Sequence, residues 1–273
     1  MGAGVRRSAI ILAMIFWLAG LGTSGAQVPA GFVYLGDVSP TVRQDIRYAG
    51  AHNFVGRRVA GYSAGECILA AAAARALARV QDELVARNMS LIVWDCYRPR
   101  RAVADFLRWS RISSDTAMKP EFYPATDKSA LFSLGYLSAR SAHARGNAVD
   151  LGIVPASLHS VPAFDPSAAL KPCTAPKGVR FEDGTLDFGT GYDCLDPQAS
   201  AGHANVSRQA RANRLLLRRA MQRHGFRPNG REWWHFEYVA DTVPLQSFDF
   251  PVMARDPGPA VRPAGIDPAP GSQ

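Results

Sequence analysis

Ser141-Ala142-His143-Ala144-Arg145-Gly146-Asn147-Ala148-Val149-Asp150, continued by Leu151-Gly152-Ile153-Val154, is the stretch on which the reading of this chain turns. Ala148 to Val154 reads as a short buried strand ended by Pro155, because a brief apolar run bounded by turn formers suits a strand. Such a strand presents the Asp150 carboxylate at the rim of a sheet. Gly146 lets the loop between His143 and Asp150 fold tightly enough for both side chains to reach one ion. Far downstream, Glu232-Trp233-Trp234-His235 adds a second imidazole and a second carboxylate.

A catalytic zinc takes three protein ligands and keeps a fourth position open for water, and a hydrolase built on it needs a base that is not a ligand. His143, Asp150 and His235 fit the first need, and Glu232 fits the second. Trp233, Trp234, Phe236 and Tyr238 make residues 233–240 β-prone. In a regular strand Glu232 and His235 would face opposite ways, so the strand starts after Glu232 or is locally irregular. The plainer alternatives are a turn-capping His143, an Asp150 paired with an arginine, and a solvated Glu232 beside tryptophans that merely pack.

A third element is Trp94-Asp95-Cys96-Tyr97-Arg98-Pro99. Arg98 leaves a strand, Leu91–Trp94, and meets a proline, so its backbone is constrained. A fixed guanidinium there suits a developing oxyanion, and the alternative is a salt bridge to Asp95. Upstream, Ile68 to Arg87 reads as a helix with Ala73, Leu77, Val80 and Leu84 on one face. Its length of roughly 30 Å is retraced by the extended stretch from Asn88 to Cys96, which returns Cys96 to Cys67. Cys173 and Cys194 bracket a turn-rich segment and form the second expected pair. The spacing offers no CxxC metal motif.

Other expected elements are helices at Arg101–Ser110 and Ser207–His224, with Ser207 as N-cap and Gly225 as stop. Residues 27–56 and 119–133 read as irregular. Residues 155–200 form a long turn-rich loop, a length usually tied to function. The arginines of 208–223 read as a solvated helix face, and Lys171, Arg180 and the remaining histidines as surface or structural groups.

The chain has 273 residues, 47% of them hydrophobic and a net charge of +8, which suits one domain with a packed core. Arg6 and Arg7, the apolar run Ala9–Leu21 and the small residues Ser24 and Ala26 read as a secretory signal over residues 1–26, with cleavage after Ala26. The run is short for a membrane span, so no stable membrane insertion is expected after cleavage. The mature domain is expected at 27–255, with a Pro/Gly-rich disordered tail at 256–273. Scattered basic residues without interleaved aromatics argue against nucleic acid as a partner. An even cysteine count in an exported chain points to disulfides and to a secreted or periplasmic protein.

Asp95-Cys96-Tyr97-Arg98-Pro99, Ser141-x-His143-x-Arg145-Gly146-x-Ala148-x-Asp150 and Glu232-Trp233-Trp234-His235 together resemble the D-alanyl-D-alanine dipeptidases. These are zinc enzymes related to the vancomycin-resistance dipeptidase and to the zinc D,D-carboxypeptidases. The resemblance runs from about Tyr48 through Phe250-Pro251. It implies an α+β fold with a small antiparallel sheet flanked by helices, of the zinc D,D-peptidase (Hedgehog-like) type. It also implies one Zn2+ held by His143, Asp150 and His235, with Glu232 as general base and Arg98 as transition-state stabiliser. Phe188-Gly189-Thr190-Gly191-Tyr192-Asp193 matches the segment whose aspartate binds the substrate's free amine, which assigns that role to Asp193. Tyr48 matches a tyrosine near the same amine, and Ser141 a serine lining the pocket. The implied partner is a small D,D-dipeptide. The alternatives are a D,D-carboxypeptidase acting on longer wall peptides and a non-catalytic zinc-containing wall-binding module.

Overall fold

In the computed structural model the chain is described for Met1, residues 28–240 and residues 245–256. The expected signal, and all but Asp256 of the expected tail, lie outside these residues. The elements run β1 (Phe32–Tyr34), α1 (Leu35–Val38), β2 (Arg43–Gln44), β3 (Ile68–Ala70), α2 (Ala71–Val85) and β4 (Met89–Asp95). They continue with α3 (Arg100–Ser110), α4 (Lys119–Phe122), β5 (Ala148–Pro155), α5 (Arg208–Arg223), β6 (Phe226–Pro228) and β7 (His235–Tyr238). Short 3-10 turns fall at Arg47–Ala49, Lys128–Ala130, Ala142–Arg145 and Pro197–Ala199.

One sheet has the order β2-β4-β5-β7-β6, and β1 pairs with β3 in a second. The expected antiparallel sheet is therefore mixed at one edge, where β2 lies parallel to β4. The connection between those two strands carries α2, and a parallel pair requires a crossover of that kind. The expected helix at Ile68–Arg87 starts three residues late, because Ile68, Leu69 and Ala70 pair with β1 first. The stretches expected to be irregular carry β1, α1 and β2 in the first case and α4 in the second.

The core lies where α2 packs on β4 and α5. α2 buries Ala73, Leu77, Val80 and Leu84, the face its helical period marks, and β4 buries every residue from Ser90 to Asp95. α5 begins at Ser207, whose side chain accepts from the Ala210 N–H, a typical N-cap bond. The Cys67–Cys96 bridge ties the start of β3 to the end of β4. The Cys173–Cys194 bridge closes the long loop. No helix among the described residues is long and apolar enough to cross a membrane.

Candidate active site

A bulge at the end of β4 sets the site. Val93 pairs with Leu151, and the next pair is Asp95 with Asp150, so Trp94 is the extra residue. A bulge re-aims side chains beside a strand end. Here it sets Asp95 opposite Asp150, while Trp94 is buried and stacks on Tyr192 at 4.6 Å. Asp150 in turn pairs with His235 of β7. Asp95, Asp150 and His235 thus share one row across three strands.

His143 joins this row from the 3-10 turn at Ala142–Arg145. The turn ends at Gly146, which has φ of 75°. A Cβ added there would lie 2.2 Å from the Phe32 ring, so glycine is required both by conformation and by space. The turn returns the chain into β5 within two residues and keeps His143 above Asp150.

The Nε2 of His143, the Oδ1 of Asp150 and the Nδ1 of His235 converge. His143 stands 3.3 Å from Asp150 and 3.1 Å from His235, and His235 stands 3.0 Å from Asp150. Ligand atoms about 2.0–2.1 Å from a tetrahedral ion lie about 3.3 Å apart, so the three fit an ion of zinc size. The His143 Nδ1 lies 2.7 Å from the Cys96 carbonyl oxygen. That oxygen can only accept, so Nδ1 carries the hydrogen and Nε2 offers its lone pair to the cluster. Among the described residues, His143, Asp150 and His235 are the group suited to hold a metal.

Electrostatics agree with this donor set. Burial alone would raise the Asp150 carboxyl, but His143 and His235 hold it well below the usual carboxylate range. Burial opposes a charge on His235, yet Asp150 and Glu237 push its imidazole up to about 10. Without an ion, His235 is thus held as a cation between carboxylates, and a divalent cation meets the same need. Tyr192 donates its hydroxyl to the Asp150 Oδ2 at 3.2 Å and supports that carboxylate from behind.

Glu232 does not belong to β7, which starts at His235. The His235 N–H instead donates to the Glu232 carbonyl at 3.4 Å, the closing bond of a turn. The turn removes the strand alternation and brings the Glu232 carboxylate to 3.9 Å from the His235 Nδ1. Asn229 donates to Glu232 at 3.2 Å. Burial pushes the Glu232 carboxyl up to about 7, against His235, with Asp150 adding to the rise.

Arg98 is buried and bonded to Asp95, its Nε donating at 2.8 Å. Another of its nitrogens lies 3.5 Å from Asp150. Its guanidinium carbon sits 5.2 Å from the Tyr48 ring centre and 5.4 Å from that of Phe106. Asp95 also accepts from the Tyr62 hydroxyl and lies 3.4 Å from the His143 Nδ1. The salt bridge considered as an alternative for Arg98 therefore exists, and it is what fixes the guanidinium at the cavity wall.

At the far end, the Tyr48 hydroxyl donates to the Asp193 Oδ2 at 2.8 Å, and both residues are buried. Burial first, and the charge of Asp150 second, push the Asp193 carboxyl well above its ordinary range, although Tyr48 opposes the shift. Asp193 has φ of 55°, a left-handed backbone uncommon outside glycine, and the neighbouring Cys194 bridge anchors it. One cavity of about 180 Å3 is lined by Tyr48, Arg98, Ser141, His143, Asp150, Asp193, Glu232 and His235. Drug-sized ligands need roughly 300 Å3 or more, so this one suits something smaller.

Two expectations about arginines fail. Arg214, placed by helical period on a solvated face, is buried. It donates to the carbonyls of Phe188 at 2.7 Å, Ser200 at 2.6 Å and Gln198 at 3.0 Å. Periodicity cannot tell a solvent-facing arginine from one that satisfies a loop's carbonyls, and the loop it holds carries Asp193. Arg180, also read as solvated, is buried against Asp187 at 2.7 Å. Asp95 and Tyr192 were not singled out as site residues. Their signal was only adjacency, one residue before Cys96 and one before Asp193.

A family described as D-ala-D-ala dipeptidase, of the peptidase M15 type, matches residues 29–161 and 177–253. A D-alanyl-D-alanine dipeptidase of Streptomyces coelicolor is 33% identical over 221 residues, covering 81% of this chain and 98% of that protein. One from Enterococcus faecium is 29% identical, with coverage of 81% and 98%. One from Escherichia coli is 28% identical, with coverage of 81% and 89%.

Proposed function

The chain belongs to the D-ala-D-ala dipeptidase family of peptidases, and from that footing we propose that it cleaves D-alanyl-D-alanine or similar D,D-dipeptides outside the cytoplasm in a zinc-dependent reaction. His143, Asp150 and His235 hold the metal. When bound, zinc lowers the pKa of a water to about 7 and polarises the scissile carbonyl.

Glu232 takes the proton from the attacking water and returns it to the leaving amine. Its carboxyl, raised by burial, suits both halves of that task near neutral pH. Arg98, locked by Asp95, faces the developing oxyanion without having to reorganise. Asp193 receives the ammonium of the substrate and fixes the reading direction. A buried charge built for an ammonium strongly rejects substrates that lack one.

The buried Tyr48–Asp193 pair in the same small cavity as the ligand set is the observation that carries this reading. It favours short substrates with a free amino end over the longer peptides of a D,D-carboxypeptidase. Extracellular action is supported by the two disulfides, which persist in oxidising compartments, and by the signal-like order of residues 1–26. The Hedgehog-like arrangement belongs to the same reading. The deciding experiment compares free and N-acetylated D-Ala-D-Ala, with and without chelator. Rapid, chelator-sensitive cleavage of the free dipeptide alone supports the proposal, and equal rates on both substrates overturn it in favour of a carboxypeptidase.

A further inference from the structure

A larger cavity adjoins the catalytic one. Residues Arg140, Ser141 and Ala142 line both, and the second, of about 540 Å3, lies between α3 and the segment 139–145. Its floor is apolar, from Val103, Ala104 and Leu107, and its rim carries Arg100 and Arg140. Both arginines are exposed, and neither guanidinium makes a hydrogen bond or ion pair among the described residues. Arg100 adds only a minor part to the field at Asp249, whose carboxylate is already bonded to Arg101 at 3.1 Å.

The direction in which a substrate reaches this space follows from the other end. Asp193 and Tyr48 are buried, so a ligand whose amine sits there cannot extend past them. Anything added to the substrate must leave on the carboxyl side. The catalytic cavity is rich in carboxylates, and its guanidinium without a carboxylate partner among the described residues is that of Arg140, which lines both cavities.

We propose that the second cavity is a subsite for the carboxyl-terminal residue of the substrate and that it favours an anionic side chain there. The inference rests on the dipeptidase reading. Methylenes of such a side chain would lie on Val103, Ala104 and Leu107, and its carboxylate would meet the guanidinium of Arg100, which can donate two parallel hydrogen bonds to it.

The test compares kcat/KM of the full-length enzyme on D-Ala-D-Glu and on the near-isosteric D-Ala-D-Gln, with D-Ala-D-Ala as reference. At low salt the glutamate dipeptide is expected to be preferred about fivefold, the size of an exposed ion pair. The preference is expected to shrink at high salt. Arg100 lines only the second cavity and is exposed, so Arg100→Met tests the subsite without threatening the fold, and its Glu/Gln ratio is expected to fall to about one. A wild-type ratio near one, or the same ratio in Arg100→Met, overturns the subsite. Failure to cleave D-Ala-D-Ala at all overturns the dipeptidase reading instead, so the two failures are distinct.

Discussion

The Tyr48 hydroxyl and the Asp193 carboxylate meet at 2.8 Å in a buried position, with no protein cation hydrogen-bonded to the acid among the described residues. Burial raises the Asp193 carboxyl above its unfolded value, so its ionisation opposes folding. That penalty is absent below the ordinary aspartate pKa and grows as pH rises towards the folded value. Asp193→Asn is therefore expected to be more stable than the wild type at pH 7, with the gain vanishing near pH 3. Cleavage of free D-Ala-D-Ala should be lost in the same variant. Urea titrations at both pH values check the first part, and a gain that persists at pH 3 would contradict it.

Zinc binding to chelator-treated protein is expected to release about one proton near pH 8, because His235 is held protonated without metal and must bind as the neutral ligand. Calorimetry in buffers of different ionisation enthalpy measures this. His235→Ala should abolish both the binding and the release.

Glu232→Gln should lower kcat by about 10²–10⁴-fold while zinc content stays near one per chain. The wild-type rate should fall as pH drops below neutrality, because only the ionised carboxylate is a base and burial raises its pKa to about 7. A rate independent of pH from 5 to 8 would remove Glu232 from the role.

Arg214→Met removes three hydrogen bonds to the loop carbonyls of Phe188, Ser200 and Gln198, at about 1 kcal/mol each. A loss of about 3 kcal/mol in denaturant titration is expected, with a larger rise in KM for the free dipeptide than fall in kcat. Loss of stability with KM unchanged would make Arg214 structural only.

Replacing Cys67 and Cys96 together by serine opens a loop with a sequence separation of 29. The expected loss is about 3–4 kcal/mol in the chain-entropy model, read as a lower denaturation midpoint. An unchanged midpoint would count against that account.

Much of this arrangement is legible in the chain before folding is considered. The helical face of α2, the buried run of β4 and the Cys67–Cys96 pairing follow from period and length. The side chains of His143, Asp150, Glu232 and His235 stand out because their chemistry is rare in combination. What is not legible depends on contacts distant in sequence. The turn at Glu232 is fixed where Trp233 stacks on Phe188 at 4.1 Å and donates to Thr190 at 2.8 Å, and local β propensity runs through it. The inward turn of Arg214 depends on where residues 188–200 come to rest. The parallel β2 edge depends on a crossover that strand patterns alone do not reveal.

The row of Asp95, Asp150 and His235 across three strands makes sheet register the ruler of the candidate metal site. A slip of one residue in β5 would turn Asp150 to the opposite face and dissolve the ligand set without altering any ligand. Insertions in the exposed stretch 165–169 leave that ruler untouched, whereas a single deletion at Trp94 would erase the bulge and the stack of Trp94 on Tyr192. Length is free to vary in the first stretch and not in the second.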